Sequence, residues 1–396
     1  MSRRLPIELL ALVASFASQQ ALARLASVSR TTYVVSIQPL YASITTMKGP
    51  RTVQCLDTLA TNTQLARLVQ SYHLNMPPQK YDRDISTLVT NALKNMTRLT
   101  ELSLQLSLAF SSTVLEHATF KLHKLLCVVM SNPKYPIARF LNSQPEIESL
   151  YLVCHQSALT SLSPTALPAL RDIAVPLRIL PLIVPTRLHH ITRISCLGTF
   201  THVFEFDTLE TLFESAPTRP TTPIEFVFGV DLHSHQLSVA HFHIGLSIIG
   251  HSVPWIGLLR IEVHQGRIEP TFLDDSLATV LSVYKSLHTL VIMSSPPSQT
   301  QTRAYIHPDP IHDVSQHMQL LKLWRAFCPT LERVVFPVGV YTYVKSPKKK
   351  EGRLSAVCTG GDCSTCGSLV EERHVGSCPR SPSSRLEAPS RFKFIA

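Results

Sequence analysis

The chain has 396 residues, of which 44% are hydrophobic and 16% charged. That is material for a large core, and it excludes a chain that is disordered throughout. Thirteen glycines against 28 prolines give little support to a glycine-dependent nucleotide fold. The formal net charge is +10, but the segment from Lys345 onward holds ten Lys/Arg and five Asp/Glu, so half of the excess lies in the last 52 residues. The body is only mildly basic, which argues against nucleic acid as its partner.

At the N-terminus, Ser2-Arg3-Arg4, the apolar stretch Leu9 to Phe16 and Ala-Leu-Ala at 21–23 have the outline of a secretory signal. Glu8 inside the apolar stretch and Pro6 at its start oppose that reading. A helical reading accounts for more residues. Pro6 suits a first turn, where no backbone N–H is needed, and Glu8 favours the positive end of the helix dipole. Leu5, Leu9, Leu12 and Phe16 then define one helical face, with Leu10 and Val13 on its flank.

Ser18 is placed to cap a second helix carrying Leu22, Leu25 and Val28. A third apolar segment holds Tyr33, Val34, Ile37, Leu40 and Tyr41, with Pro39 expected to end or kink it. Three short helices in some 40 residues cannot bury this much apolar surface by themselves. An uncovered patch of that kind marks a partner site. The alternative is that the triplet caps the domain that follows it.

Leu5-Pro6-x-Glu8-Leu9-Leu10, followed by Leu22-x-x-Leu25-x-x-Val28-Ser29-Arg30 and by Pro39-Leu40-Tyr41, resembles an F-box, and in particular the fungal type. The turn before the second helix, Ser18-Gln19-Gln20, lacks the acidic residue often found there, and the second leucine of the usual Pro-Leu-Leu-Tyr is missing. The resemblance implies a three-helix F-box over residues 1–46. It also implies docking onto the Skp-type adaptor of a cullin–RING (SCF) ubiquitin ligase. Pro6, Leu9, Leu10, Leu22, Leu25, Val28 and Arg30 match the positions that the family uses there or nearby.

From residue 47 to 344 one pattern keeps returning: apolar, two variable, apolar, one variable, apolar. Its copies begin at Leu99, Leu122, Ile147, Leu170, Ile191, Ile256, Leu287 and Leu331. The first four intervals are 23, 25, 23 and 21 residues, in the range of leucine-rich repeats. Each copy reads as a short strand whose alternate residues face a shared core, with a helix or irregular segment returning to the start. Returns are expected at 56–70, 86–94, 273–284 and 317–327. Between residues 200 and 256, Leu209-x-x-Leu212 and Ile224 to Phe228 read as degenerate copies. A generic α/β domain is the competing reading. Trp324 and Cys328-Pro329-x-Leu331 resemble the closing repeat of many fungal F-box proteins.

Five of the nine cysteines, Cys55, Cys127, Cys154, Cys196 and Cys328, lie among apolar residues, as small buried hydrophobes in a reducing compartment do. His233-x-His235 and His241-x-His243 have metal-like spacing if each pair lies on a strand. A metal-dependent enzyme built on them is a minor alternative, because Asp231 is the single nearby carboxylate. Cys358, Cys363, Cys366 and Cys378, with His374, contain one zinc-knuckle pair. Lys345 to Lys350 is a basic run with import or phosphate contact as its sharper readings, and Ser-Pro pairs stand at 346–347 and 381–382.

The sequence contains no P-loop, nucleophile elbow, kinase set or zincin motif. The expectation is therefore an α/β chain in three parts: a three-helix F-box at 1–46, an irregular leucine-rich-repeat-like α/β solenoid at 47–344, and a disordered basic tail at 345–396. It is expected to be a non-catalytic ligase subunit without metal or cofactor, cytoplasmic or nuclear, with no membrane span. It would recruit a target protein that the sequence does not identify. The rival in the same class is an interaction scaffold of the same repeats with no ligase role.

Overall fold

A computed structural model describes residues 6–45, 49–76, 85–106, 111–130, 132–217, 219–266, 268, 272–294, 314–337, 339–344 and 353–357. Three helices open it: α1 (Ile7–Phe16), α2 (Gln19–Val28) and α3 (Arg30–Ala42). Pro6 stands at the N-cap of α1. Ser18 caps α2 by accepting from the Ala21 N–H at 3.3 Å. Ser29 and Thr32 close a reciprocal capping box on α3. Pro39 lies inside α3, which runs on to Ala42 rather than stopping at the proline. The packing of α1 and α2 on α3 supports the helix through it.

The chain then enters a single sheet. β1 (Ser43–Ile44) is followed by α4 (Gly49–Thr61), α5 (Thr63–Ala66), β2 (Ser71–Met76), α6 (Ile85–Asn95), β3 (Glu101–Leu106) and β4 (Lys124–Val128). Next come α7 (Ile137–Asn142), β5 (Ser149–Val153), β6 (Asp172–Pro176), α8 (Leu180–Ile183), β7 (Arg193–Phe200), α9 (Phe204–Glu214) and β8 (Ile224–Asp231). The order closes with α10 (Val239–Ser252), β9 (Ile256–Gln265), α11 (Leu277–Leu281), β10 (Thr289–Ser294), α12 (Val314–Phe327), β11 (Arg333–Phe336), β12 (Gly339–Val344) and β13 (Arg353–Val357).

The thirteen strands among the described residues form one sheet of a mixed α/β fold, in which every strand's neighbours are its predecessor and successor in the chain. β1 through β11 pair in parallel, and β12 and β13 pair antiparallel at the end. The sheet thus runs past residue 344: β13 falls inside the expected tail and pairs with β12 over Val340–Val344. The zinc-like cysteines, the basic run and both Ser-Pro pairs lie outside the described residues.

Each of the eight apolar triplets lies at one strand, and all of their positions are buried. The register makes the middle position continuous across the sheet: Tyr72, Leu102, Leu125, Leu150, Ile173, Ile194, Phe226, Leu259, Leu290 and Val334 are successive partners. One core row therefore runs the length of the molecule, which is what alternate residues on parallel strands dictate. The shorter intervals leave room for 3-10 turns and short helices, as at Gln156–Leu159 and Leu180–Ile183. The interval widens to 32 residues between Ile194 and Phe226 and to 33 between Phe226 and Leu259. There the longer helices α9 and α10 fit. Leu209 and Leu212 belong to α9 rather than to a strand, whereas Ile224 to Phe228 do form β8.

Loops between strands are pinned by buried polar groups. The Gln144 side chain accepts from the Leu122 N–H at 3.0 Å and donates to the Phe120 carbonyl at 3.1 Å. Arg187 is buried and donates to the carbonyls of Ala166, Ile183 and Ser163 at 2.6, 2.6 and 2.7 Å. On α12, the Trp324 indole N–H donates to the Leu273 carbonyl at 2.8 Å. Asn95 donates its side-chain amide to the carbonyls of Leu59 and Ala60 at 3.1 and 2.9 Å. Among the described residues no helix is long and apolar enough to cross a membrane.

Candidate interaction surface

The helical triplet is where the chain leaves apolar side chains uncovered. Of the thirteen large hydrophobic residues exposed among the described residues, eight lie between Ile7 and Val34. They are Ile7, Leu9, Leu12, Val13 and Phe16 on α1, Val28 at the end of α2, and Tyr33 and Val34 on α3.

The helix geometry explains the arrangement on α1. At 3.6 residues per turn, Leu12, Phe16, Leu9 and Val13 fall within an arc of about 100°. Ala14 is fully buried and Leu10 half-buried, on the side where α1 packs on α3. Thus α1 carries two apolar faces, and the second stays exposed among the described residues. Phe16 is 85% exposed. Leaving a phenylalanine in water costs about 1.5–3 kcal/mol relative to burying it, and the half-exposed Leu9 and Leu12 correspondingly less.

The seven positions singled out in the sequence divide accordingly. Leu9 and Val28 are exposed, at 47% and 72%. Pro6 and Arg30 are also exposed, at the starts of α1 and α3, and Leu10 and Leu25 are half-buried. Leu22, in contrast, is 3% exposed and packs inside the triplet. Leu12, Val13 and Phe16 on α1 and Tyr33 and Val34 on α3 enlarge the exposed patch beyond those seven. Their signal was the excess width of the apolar zone, which spans more of the helix than one packing face needs.

The triplet is not detached from the body. β1 continues directly from α3 and pairs with β2, and the Gln19 side chain donates to the Ser43 carbonyl at 2.8 Å.

A second surface is the open face of the sheet. The row Ser71, Glu101, Lys124, Ser149, Asp172, Arg193 and Glu225 follows the strand register. Its charges alternate in sign, and Arg193 and Glu225 are 3.4 Å apart. The next row contains the half-buried Leu126, Tyr151, Ala174 and Val227. A partly apolar strip results, bordered by charges of alternating sign and leading to Arg260 on β9.

The histidine pairs do not share a strand face. His233 and His235 lie in the turn after β8, whereas His241 and His243 lie on α10. Asp231 is occupied by the His233 N–H at 2.8 Å. Among the described residues, no three His, Cys, Asp or Glu side chains are grouped as a metal site. The five cysteines at 55, 127, 154, 196 and 328 are free thiols. Burial pushes Cys55 up to about 11 and Cys154 up to about 12, which keeps both protonated and unreactive near neutral pH.

Comparison with models of known protein families finds no match, and none of the curated proteins compared with the chain matches it.

Proposed function

We propose that this chain is the substrate-recognition adaptor of an SCF-type ubiquitin ligase. In this reading α1–α3 are an F-box that docks the Skp-type adaptor. The sequential strands form an irregular leucine-rich-repeat solenoid whose open face receives a target protein. Ubiquitin transfer belongs to the RING and conjugating-enzyme partners, and this chain raises the effective concentration of target lysines.

One observation carries the reading: the uncovered second face of α1. A helix that packs with one side and presents leucines and a phenylalanine on the other is built for a protein partner. The order and spacing of the leucines, Val28-Ser29-Arg30 and Pro39-Leu40-Tyr41 support the Skp-type adaptor as that partner.

The test is co-purification with a Skp-type adaptor. Leu9→Arg/Leu12→Arg places two charges on the exposed face without touching the side that packs on α3. Binding is expected to fall below detection while the melting temperature stays within error of the wild type. Adaptor binding that survives this pair of substitutions would overturn the reading.

A further inference from the structure

On the open face, two strands flanking β8 bring four polar side chains together. Thr199 on β7 and His264 on β9 are 65 positions apart, yet Thr199 Oγ1 and His264 Nδ1 hydrogen-bond at 2.7 Å. The second ring nitrogen, Nε2, stands 3.6 Å from Glu262 Oε2. Arg260 Nη2 lies 2.7 Å from the other carboxylate oxygen. Contact with His264 is the larger cause holding the Glu262 carboxyl below its usual range, and the Arg260 charge adds to it against the opposing effect of burial.

The strand between them makes room for the ring. Gly229 on β8 pairs with Thr199 on one side and with Glu262 on the other. A Cβ at Gly229 would stand 2.5 Å from His264 Cε1. Thr199 itself follows Gly198, whose φ is +97°, where the register between β7 and β8 shifts. An irregularity of this kind re-aims the side chain that follows it. Thr199 is half-buried and His264 exposed, so solutes reach both.

A hydroxyl in hydrogen-bond reach of an imidazole whose other nitrogen faces a carboxylate at 3.6 Å resembles the arrangement of an activated nucleophile. The anionic Glu262 favours the tautomer with its proton on Nε2, which leaves Nδ1 free to accept the threonine proton. We propose that Thr199 and His264 are a reactive pair that accepts acyl groups from activated carboxylic esters, with Glu262 as a positioning residue. His264 Nδ1 takes the hydroxyl proton as Thr199 Oγ1 bonds to the carbonyl carbon. The ester C–O bond breaks, and the proton passes from His264 to the departing alkoxide, which leaves as the alcohol. Water then removes the acyl group by the same route, releasing the acid and restoring Thr199. The activity does not depend on the adaptor reading, and loss of ligase partners leaves it unchanged.

The probe is an alkyl fluorophosphonate, from which Oγ1 displaces fluoride to leave a stable adduct. The full-length chain is incubated with it, and adducts are mapped by peptide mass spectrometry. The expected adduct is on Thr199. Its rate falls by about 100-fold or more in His264→Gln, because a general base of this type contributes about that much. Glu262→Gln gives a smaller loss. Gly229→Ala also slows labelling, because its Cβ displaces the ring. Thr199→Ser, which removes the hindering methyl group, labels faster at residue 199. An unlabelled Thr199 in protein of native circular dichroism, or equal labelling in His264→Gln, overturns the proposal. If His264→Gln lowers the melting temperature, Thr199→Ser decides: faster labelling supports the pair, and unchanged or absent labelling rejects it.

Discussion

The N-terminal helices and the strand body use the same residue type in opposite ways. In the body, Leu102, Leu125 and Leu150 occupy successive strands of one buried row, and Leu259 stands further along it. In the helices, Leu9 and Leu12 stand in water, at 47% and 56% exposure. The difference is in what each element is given to pack against. A strand in the middle of a parallel sheet has a neighbour on each side and return segments behind it, so its alternate leucines always find partners. The α1 helix packs chiefly on α3. Apolar residues placed all round such a helix are uncovered by construction, and stability of the chain by itself gives them no role. The body covers its leucines with its own strands and return segments, whereas the triplet leaves part of its apolar surface exposed.

The largest expected effect tests that contrast directly. Leu150→Ala removes side-chain volume from the middle of the core row and is expected to destabilise the fold by about 2–5 kcal/mol. Leu12→Ala, on the uncovered face of α1, is expected to stay within about 0.5 kcal/mol of the wild type. Urea midpoints of the two variants measure both. A loss for Leu12→Ala comparable to that for Leu150→Ala would mean that the α1 face is already covered.

A smaller effect sharpens how the body closes its loops. Gln144→Leu keeps much of the volume but leaves the Leu122 N–H and the Phe120 carbonyl without their partner. An unpaired buried polar group costs about 1–3 kcal/mol. The expected loss is therefore in that range, read from the same urea titration. A neutral result would show that the strand pairing of β4 alone holds the loop.

Periodicity made much of this fold legible in the sequence. The apolar triplets mark eight strands because a parallel strand with one face on the core alternates with a period of two, and that pattern survives in any single sequence. Ser18 and Pro6 marked helix starts for equally local reasons. Other features rest on contacts between distant residues. Pro39 stays within α3 because neighbouring helices support it, and no local rule shows that. The histidines at 241 and 243 fall on α10 because Ser238 caps a helix there, accepting from the His241 N–H at 3.3 Å. The exposed face of α1 was half legible: the width of its apolar zone was visible, but burial of Leu22 inside the triplet required the packing. The Thr199–His264 pair had no sequence signal, since its members come from strands separated by β8 and meet through a register shift.

The smallest effect belongs to that same corner of the body and follows from the lowered carboxyl of Glu262. A carboxyl held below its unfolded value adds stability that is fully present above the unfolded pKa and is lost as pH falls through the folded one. Wild type is therefore expected to melt slightly above Glu262→Gln at neutral pH, and the two midpoints should converge as the pH is lowered through the carboxylate range. The carboxylate is partly exposed, so solvent screens its interactions with Arg260 and His264, and added salt should shrink the neutral-pH difference. Leu12→Ala on α1 changes no charge, so its midpoint should track the wild type at every pH. A gap between wild type and Glu262→Gln that persisted in acid would assign the contribution of Glu262 to packing rather than to charge.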